Sequence, residues 1–180
     1  MNISNYSVLN DSISIRDYFT YIHPYMEKFK LVKVQRNFIL KIQSAIVKRL
    51  NLNSIQELRD KYEGVAYFDN NLRKVGSNYC VESLLNGLKS QNYEIDLKEN
   101  LNIINYKNSL FEIITFRFGQ IPKIAIKTNN YDKIIVMQRD TNHFYLCGIL
   151  PFKYIIEDSL RSISIDSIVH FKDFTKVIYP

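Results

Sequence analysis

The sequence predicts an α/β protein, a mixed central β-sheet flanked by helices, with an N-terminal helical segment. Three observations predict it. Helical periodicity dominates the first third of the chain, composition shifts after Gly64, and the remainder alternates short apolar runs with polar breaks. The division expected is a basic helical segment over residues 1–64 and an α/β core over 65–180. At 180 residues and 46% hydrophobic against 23% charged, the chain is long and apolar enough for one folded core. Ile fills 25 positions and Asn 18, a bias toward A/T-rich codons that makes isoleucine a weaker witness for strands than usual.

Taken in order, Ser14 and Asp17 suggest a helix start, and Asp17 to Ile22 would form one or two turns before Pro24 interrupts them. A stronger helix is expected from Gln35 to Leu50. Phe38, Ile42, Ala45, Ile46 and Leu50 form its apolar stripe, while Asn37, Lys41, Ser44 and Lys48 share another face. Ser54 and Glu57 have capping-box spacing and open a further helix through Lys61, which Gly64 can end. The pair resembles a helix-turn-helix only in outline, which any helical hairpin shares. Val65, Tyr67 and Asn71 to Arg73 then surround a possible strand or turn, and Asn78 to Lys89 reads as a helix with Val81, Leu84, Leu85 and Leu88 on its apolar side.

Five strands follow in the expectation, over Tyr93–Leu97, Leu110–Phe118, Lys123–Thr128, Lys133–Gln138 and Phe144–Leu150. Between the first two, Glu99 to Ser109 reads as a loop or hairpin excursion. A small helix over Phe152–Asp158 and terminal strands over Ser167–Phe171 and Thr175–Ile178 complete the list.

The net charge of +6 favours an anionic partner, and its distribution is uneven. Lys28, Lys30, Lys33, Arg36, Lys41, Lys48 and Arg49 follow one another with no acid until Glu57. Contact with nucleic-acid phosphate would use Arg36, Lys41, Lys48 and Arg49; a solvated surface, or contact with an acidic protein or lipid, explains the same run. Tyr18, Tyr21 and Tyr25 just before it either stack on bases or pack beneath the helices.

Cys80 and Cys147 lie in apolar patterns and read as buried free thiols. His23, His143 and His170 form no metal or triad pattern, and His143 falls in an expected hairpin turn. No window has the roughly 18 apolar residues of a membrane span, and the N-terminus lacks a leader pattern. An intracellular setting, cytoplasmic or virus-associated, is therefore expected.

Metal-dependent cleavage of a phosphodiester needs at least two carboxylates converging on a hard cation, with a lysine to offset negative charge. Asp96 in YEIDL, Glu112 in LFEII and Glu82 in the preceding helix have the order for this; each also fits a surface or structural role.

Between Lys74 and Pro151 the chain resembles the restriction-endonuclease-like PD-(D/E)XK nuclease superfamily. KVGSNYCVESLLNGLKSQNYEID resembles its opening helix, with Glu82, and then the strand with the metal-binding aspartate, here Asp96. LFEII is similar to the next catalytic strand, with Glu112 as second ligand, and YDKIIVMQRDTNHFYLCGILP to a late strand pair with Gly148 and Pro151 at a turn. The resemblance implies a nuclease using Mg²⁺ or Mn²⁺ on DNA or RNA, with Asp96 and Glu112 on the metal. Ile114 stands where the family places lysine. Lys123 or Lys127 could supply that charge, since Ile124, Ile126 and Thr128 share the other strand face; Lys127 is preferred only slightly, because Lys123 shares its outward face. The alternatives are an inactive nucleic-acid-binding or protein-interaction module, and a structural subunit of a viral or ribonucleoprotein assembly.

Overall fold

The computed structural model describes residues 15–16, 18–60, 63–97, 102–120, 122–124, 130–152 and 161–162. Its centre is a five-stranded mixed sheet with helices, the α/β arrangement anticipated from the sequence. Seven strands are described: β1 (Lys30–Lys33), β2 (Ile103–Tyr106), β3 (Ser109–Arg117), β4 (Lys123–Ile124), β5 (Asp132–Gln138), β6 (His143–Leu150) and β7 (Arg161–Ser162). The main sheet has the order β1-β6-β5-β3-β2, and β4 pairs with β7 in a separate ribbon. Among the described strands only β3 and β5 run parallel.

β5 is central, and its sequence shows why. Ile134, Ile135, Val136 and Met137 are all buried, so both faces of the strand are covered and the apolar run is continuous rather than alternating. β6 returns from it through the turn Arg139–Asn142. Asp140 Oδ1 accepts hydrogen bonds from the backbone N–H groups of Asn142 (2.8 Å) and His143 (2.9 Å), which fixes that turn. Gly148 lies within β6, as the strand expected over Phe144–Leu150 has it and not at the turn the family resemblance implied, beside a register shift between Ile135 and Val136. Its φ of 153° suits the irregularity.

Three α-helices cover one face: α1 (Arg36–Arg49), α2 (Ile55–Arg59) and α3 (Gly64–Leu85). α1 matches its anticipated span and buries Phe38, Ile42 and Ile46, one residue per turn of a single stripe. At α2 the Ser54 hydroxyl accepts from Glu57 N–H at 3.3 Å, while Glu57 Oε2 accepts from Asn53 N–H at 2.9 Å. The cap thus forms one residue out of the reciprocal box. α3 begins 14 residues earlier than the sequence suggested, and Val65 and Tyr67 lie in its first turns. Packing decides this. Leu72 and Val75, which precede the expected helix start at Asn78, are fully buried against the sheet, and Gly76 lets the helix approach β6 so closely that a Cβ there would sit 2.3 Å from Phe144 Cζ.

The opposite face is covered by a π turn over Tyr18–Ile22 that runs directly into a 3₁₀ helix over His23–Lys28. Pro24 does not end the helical path but starts its second part, where a missing N–H costs nothing. Tyr18, Ile22 and Phe29 pack there on Phe116, Ile135, Met137, Cys147 and Leu150. Burial pushes the Tyr18 phenol up to about 12, with the neighbouring Cys147 adding to the effect.

Three further differences concern the strands. β1 lies within the segment expected to be helical alone and pairs antiparallel with β6, so the residues before Gly64 supply an edge of the sheet. β2 falls in the stretch expected as a loop or hairpin excursion and is one arm of a hairpin with β3, whereas Tyr93–Leu97 is irregular rather than a strand. The strand expected from Lys123 is described only over Lys123–Ile124, and the C-terminal strands expected over Ser167–Phe171 and Thr175–Ile178, with all but the first residue of the Phe152–Asp158 helix, lie outside the described residues. Among the described residues no helix is long and apolar enough to cross a membrane.

Candidate functional site

Glu112 is the natural starting point, because a buried carboxylate on a central strand requires a partner. Side chains alternate across β3 and β5. Ile113, Ile134 and Val136 join the core beneath α1 and α3, whereas Phe116, Ile135 and Met137, with Ile114, join the core on the other face. Glu112 and Lys133 therefore point to the face away from α3. Parallel pairing sets them directly opposite one another in register. Lys133 Nζ lies 2.6 Å from Glu112 Oε2, with side-chain exposures of 0% and 8%. The contact is ionic, off the directions of a well-aligned hydrogen bond at that oxygen. Asn102 Nδ2 donates to Oε1 at 3.1 Å, and the Lys133 ammonium also lies 5.7 Å from the centroid of the Phe152 ring. Both carboxylate oxygens are thus engaged by the chain itself.

The other proposed ligands do not join it. Glu82 stands in the last turn of α3, where its Oε2 accepts from Asn86 Nδ2 at 2.6 Å. Asp96 lies in the irregular stretch whose Ile95 and Leu97 pack into the core beneath the helices. The strand that does pair with β3 is β2, which opposes Glu112 with Ile103. Glu82 and Asp96 are therefore on the helical side of the sheet and Glu112 on the other. These first two acids do share a neighbourhood, since both add to the burial that pushes the Tyr93 phenol well up. Lys127 lies outside the described residues, and Lys123 opens β4.

These positions decide the fit of a divalent cation. Mg²⁺ or Mn²⁺ seeks several hard oxygen ligands on one side. Glu112 meets an ammonium and an amide N–H there, and among the described residues no three His, Cys, Asp or Glu side chains gather into a group able to hold a metal. The described donor set does not fit the expected ion.

A second locus lies on α1. Arg36, Lys41, Lys48 and Arg49 are all exposed; Lys41 and Lys48 face away from the Phe38, Ile42 and Ile46 stripe, whereas Arg49 stands at its C-terminal end. Lys41 Nζ reaches Gln91 O at 3.5 Å, and Arg49 donates to Leu97 O, so both tie α1 to the 90–97 segment. Between helix and segment runs an open groove of about 530 Å³, lined by Asn37, Leu40, Lys41 and Ser44 on one side and by Tyr93 and Ile95 on the other. Tyr93 is held by edge-on ring contacts at 5.5 Å with both Phe38 and Tyr79.

Sequence reasoning missed Lys133 and Asn102. The signal for Lys133 was a lysine at the start of an apolar run that has to be central; its partner became visible only with the register. Tyr25 is half-buried and Tyr18 fully buried, so Tyr18 packs beneath the sheet rather than offering a stacking platform. His143 opens β6, with Nδ1 2.8 Å from Asp140 Oδ1. Cys80 and Cys147 are buried free thiols; burial pushes the first up to about 12 and the second well above its usual range. Comparisons of the chain with known protein families, with curated proteins and with solved structures gave no match.

Proposed function

We propose that the protein is a nucleic-acid-binding module without cleavage activity, which grips phosphate through α1. The observation that carries this reading is the exposed set Arg36, Lys41, Lys48 and Arg49 on one short helix, in a stretch of sequence with no acid from Lys28 to Gln56. Cations so placed cannot neutralise one another, and a polyanion releases its counterions on meeting them. The buried Glu112–Lys133 pair supports the same reading from the other side. The carboxylate best placed on the sheet is already paired with a cation within the fold.

A second reading, the Mg²⁺- or Mn²⁺-dependent nuclease, draws on one observation. Glu112 has a lysine beside it from a neighbouring strand, as the family resemblance requires of a displaced lysine, although that lysine is Lys133 rather than Lys127. A viral or ribonucleoprotein setting is compatible with nucleic-acid binding and adds no separate chemistry.

One experiment separates the readings. The full chain is incubated with labelled DNA and RNA in Mg²⁺ and in Mn²⁺, and both retardation and strand integrity are followed on gels. Binding with intact strands, weakened in Lys41→Glu/Lys48→Glu, is the expected result. Cleavage that disappears in Glu112→Ala establishes the nuclease instead, and failure to bind either nucleic acid at low salt removes the proposal.

A further inference from the structure

A surface that bound phosphate alone would need no recess, yet the groove beside Lys41 is a recess with apolar walls. Leu40 remains 46% exposed at its rim, and Tyr93 and Ile95 form the opposite wall. The polar members are Asn37 and Ser44, which between them offer both donors and acceptors. Asn37, Lys41, Ser44 and Lys48 follow one another at helical spacing, so the mouth of the groove, Lys41 and Lys48 share one face of α1.

We infer that the groove seats an unpaired nucleobase, and that the protein prefers single-stranded nucleic acid to duplex. This rests on the reading of α1 as a phosphate-binding surface and narrows it. A base has apolar faces and a polar edge. The faces match Leu40, Tyr93 and Ile95, and the edge matches an amide and a hydroxyl that accept any base. The attached phosphate falls to Lys41 at the rim, and the strand continues toward Lys48, seven residues and about 10 Å along the helix. Glu82 and Asp96 act on Tyr93 from the other wall, so the anionic backbone runs along α1 and not across the 93–97 segment. In a duplex the bases are stacked and paired and cannot enter. An acidic peptide would satisfy the lysines but gain nothing from the apolar walls.

The test uses the full chain, with fluorescence anisotropy of a labelled oligothymidylate and of a duplex of matching length in the same buffer. Tighter binding of the single strand by about tenfold or more is expected. Ser44→Phe, at an exposed position that fills the recess, should reduce that ratio severalfold. Photocrosslinking of a 5-iodouracil oligonucleotide to wild-type protein gives a readout that needs no variant, and should label the 37–45 or 93–95 stretch. Equal affinity for both strands' forms, or crosslinks confined elsewhere, overturns the inference while leaving phosphate binding by α1 intact. Absence of binding to either probe overturns both, and displacement of the oligonucleotide by polyglutamate at equal charge concentration overturns the inference, because charge alone then accounts for the binding.

Discussion

Removing Lys133 should cost more stability than most single substitutions. Its ammonium is 2.6 Å from Glu112 Oε2 in a place water scarcely reaches. At an effective dielectric of about 20 the attraction is roughly 6 kcal/mol, and the desolvation of two ions offsets most of it. The net worth of the pair is therefore small, whereas one abandoned charge is expensive. Lys133→Met leaves the Glu112 carboxylate with the Asn102 amide and should cost about 3–5 kcal/mol. With a urea slope of about 2 kcal/mol per molar, the midpoint falls by roughly 2 M. Glu112→Leu/Lys133→Met removes both charges and should return to within about 1 kcal/mol of wild type, or exceed it. Urea titration by far-ultraviolet circular dichroism reads all three proteins. A Lys133→Met midpoint within about 0.3 M of wild type, or a double variant no better than the single, would refute the claim of a dry, mutually dependent pair.

Other outcomes follow from the same packing. Gly76→Ala places a Cβ 2.3 Å from the fully buried Phe144 ring and should lower stability by about 1–3 kcal/mol despite the helix preference for alanine, with partial recovery on adding Phe144→Leu; thermal melts check both. Cys80 and Cys147 should both resist Ellman's reagent in the native protein and react fully in denaturant, since burial holds both thiols protonated; rapid native labelling would show that one is open to solvent. Burial pushes the Asp140 carboxyl up, but hydrogen bonds from Asn142 N–H and from the His143 ring and N–H, with the His143 charge, outweigh it and hold the group below its usual range. A depressed carboxyl stabilises above its unfolded value of about 4 and loses that contribution as pH falls through the folded one. The urea-midpoint advantage of wild type over Asp140→Asn should thus shrink as pH falls below about 5, and an advantage that grows there contradicts the assignment.

Much of the fold was legible because its elements carry their own periodicity. α1 shows its stripe, and β3, β5 and β6 are apolar runs of strand length. α3 was legible only in its last third. Gly64, Gly76 and the polar stretch Asp69–Asn71 weaken local helix preference, and burial of Leu72 and Val75 overrides it. β1 was hidden in the basic run. Lys30 and Lys33 bracket Leu31 and Val32, and only Val32 of the four is buried, so pairing with β6 makes the strand.

The site was harder to read than the fold, because chemistry depends on which face a side chain takes. Glu112 was located on its strand, but nothing local indicated that it points away from α3. Asp96 was misplaced together with its strand. YEIDL alternates like a strand, yet its apolar residues pack on the helices, and β2 comes from the Asn-rich stretch after it. The cations of α1 could be read directly, since residues on one helix keep their relative places whatever the tertiary fold.

The claim that α1 is the phosphate-binding surface is tested most directly by the salt dependence of oligonucleotide affinity, measured for wild type and for Lys41→Glu/Lys48→Glu. The account predicts log K falling linearly with log salt for wild type, and a slope shallower by at least about 1.4 in the variant, about 0.7 for each lost single-strand phosphate contact. Parallel lines of equal slope, with affinity unchanged by the two substitutions, would contradict it.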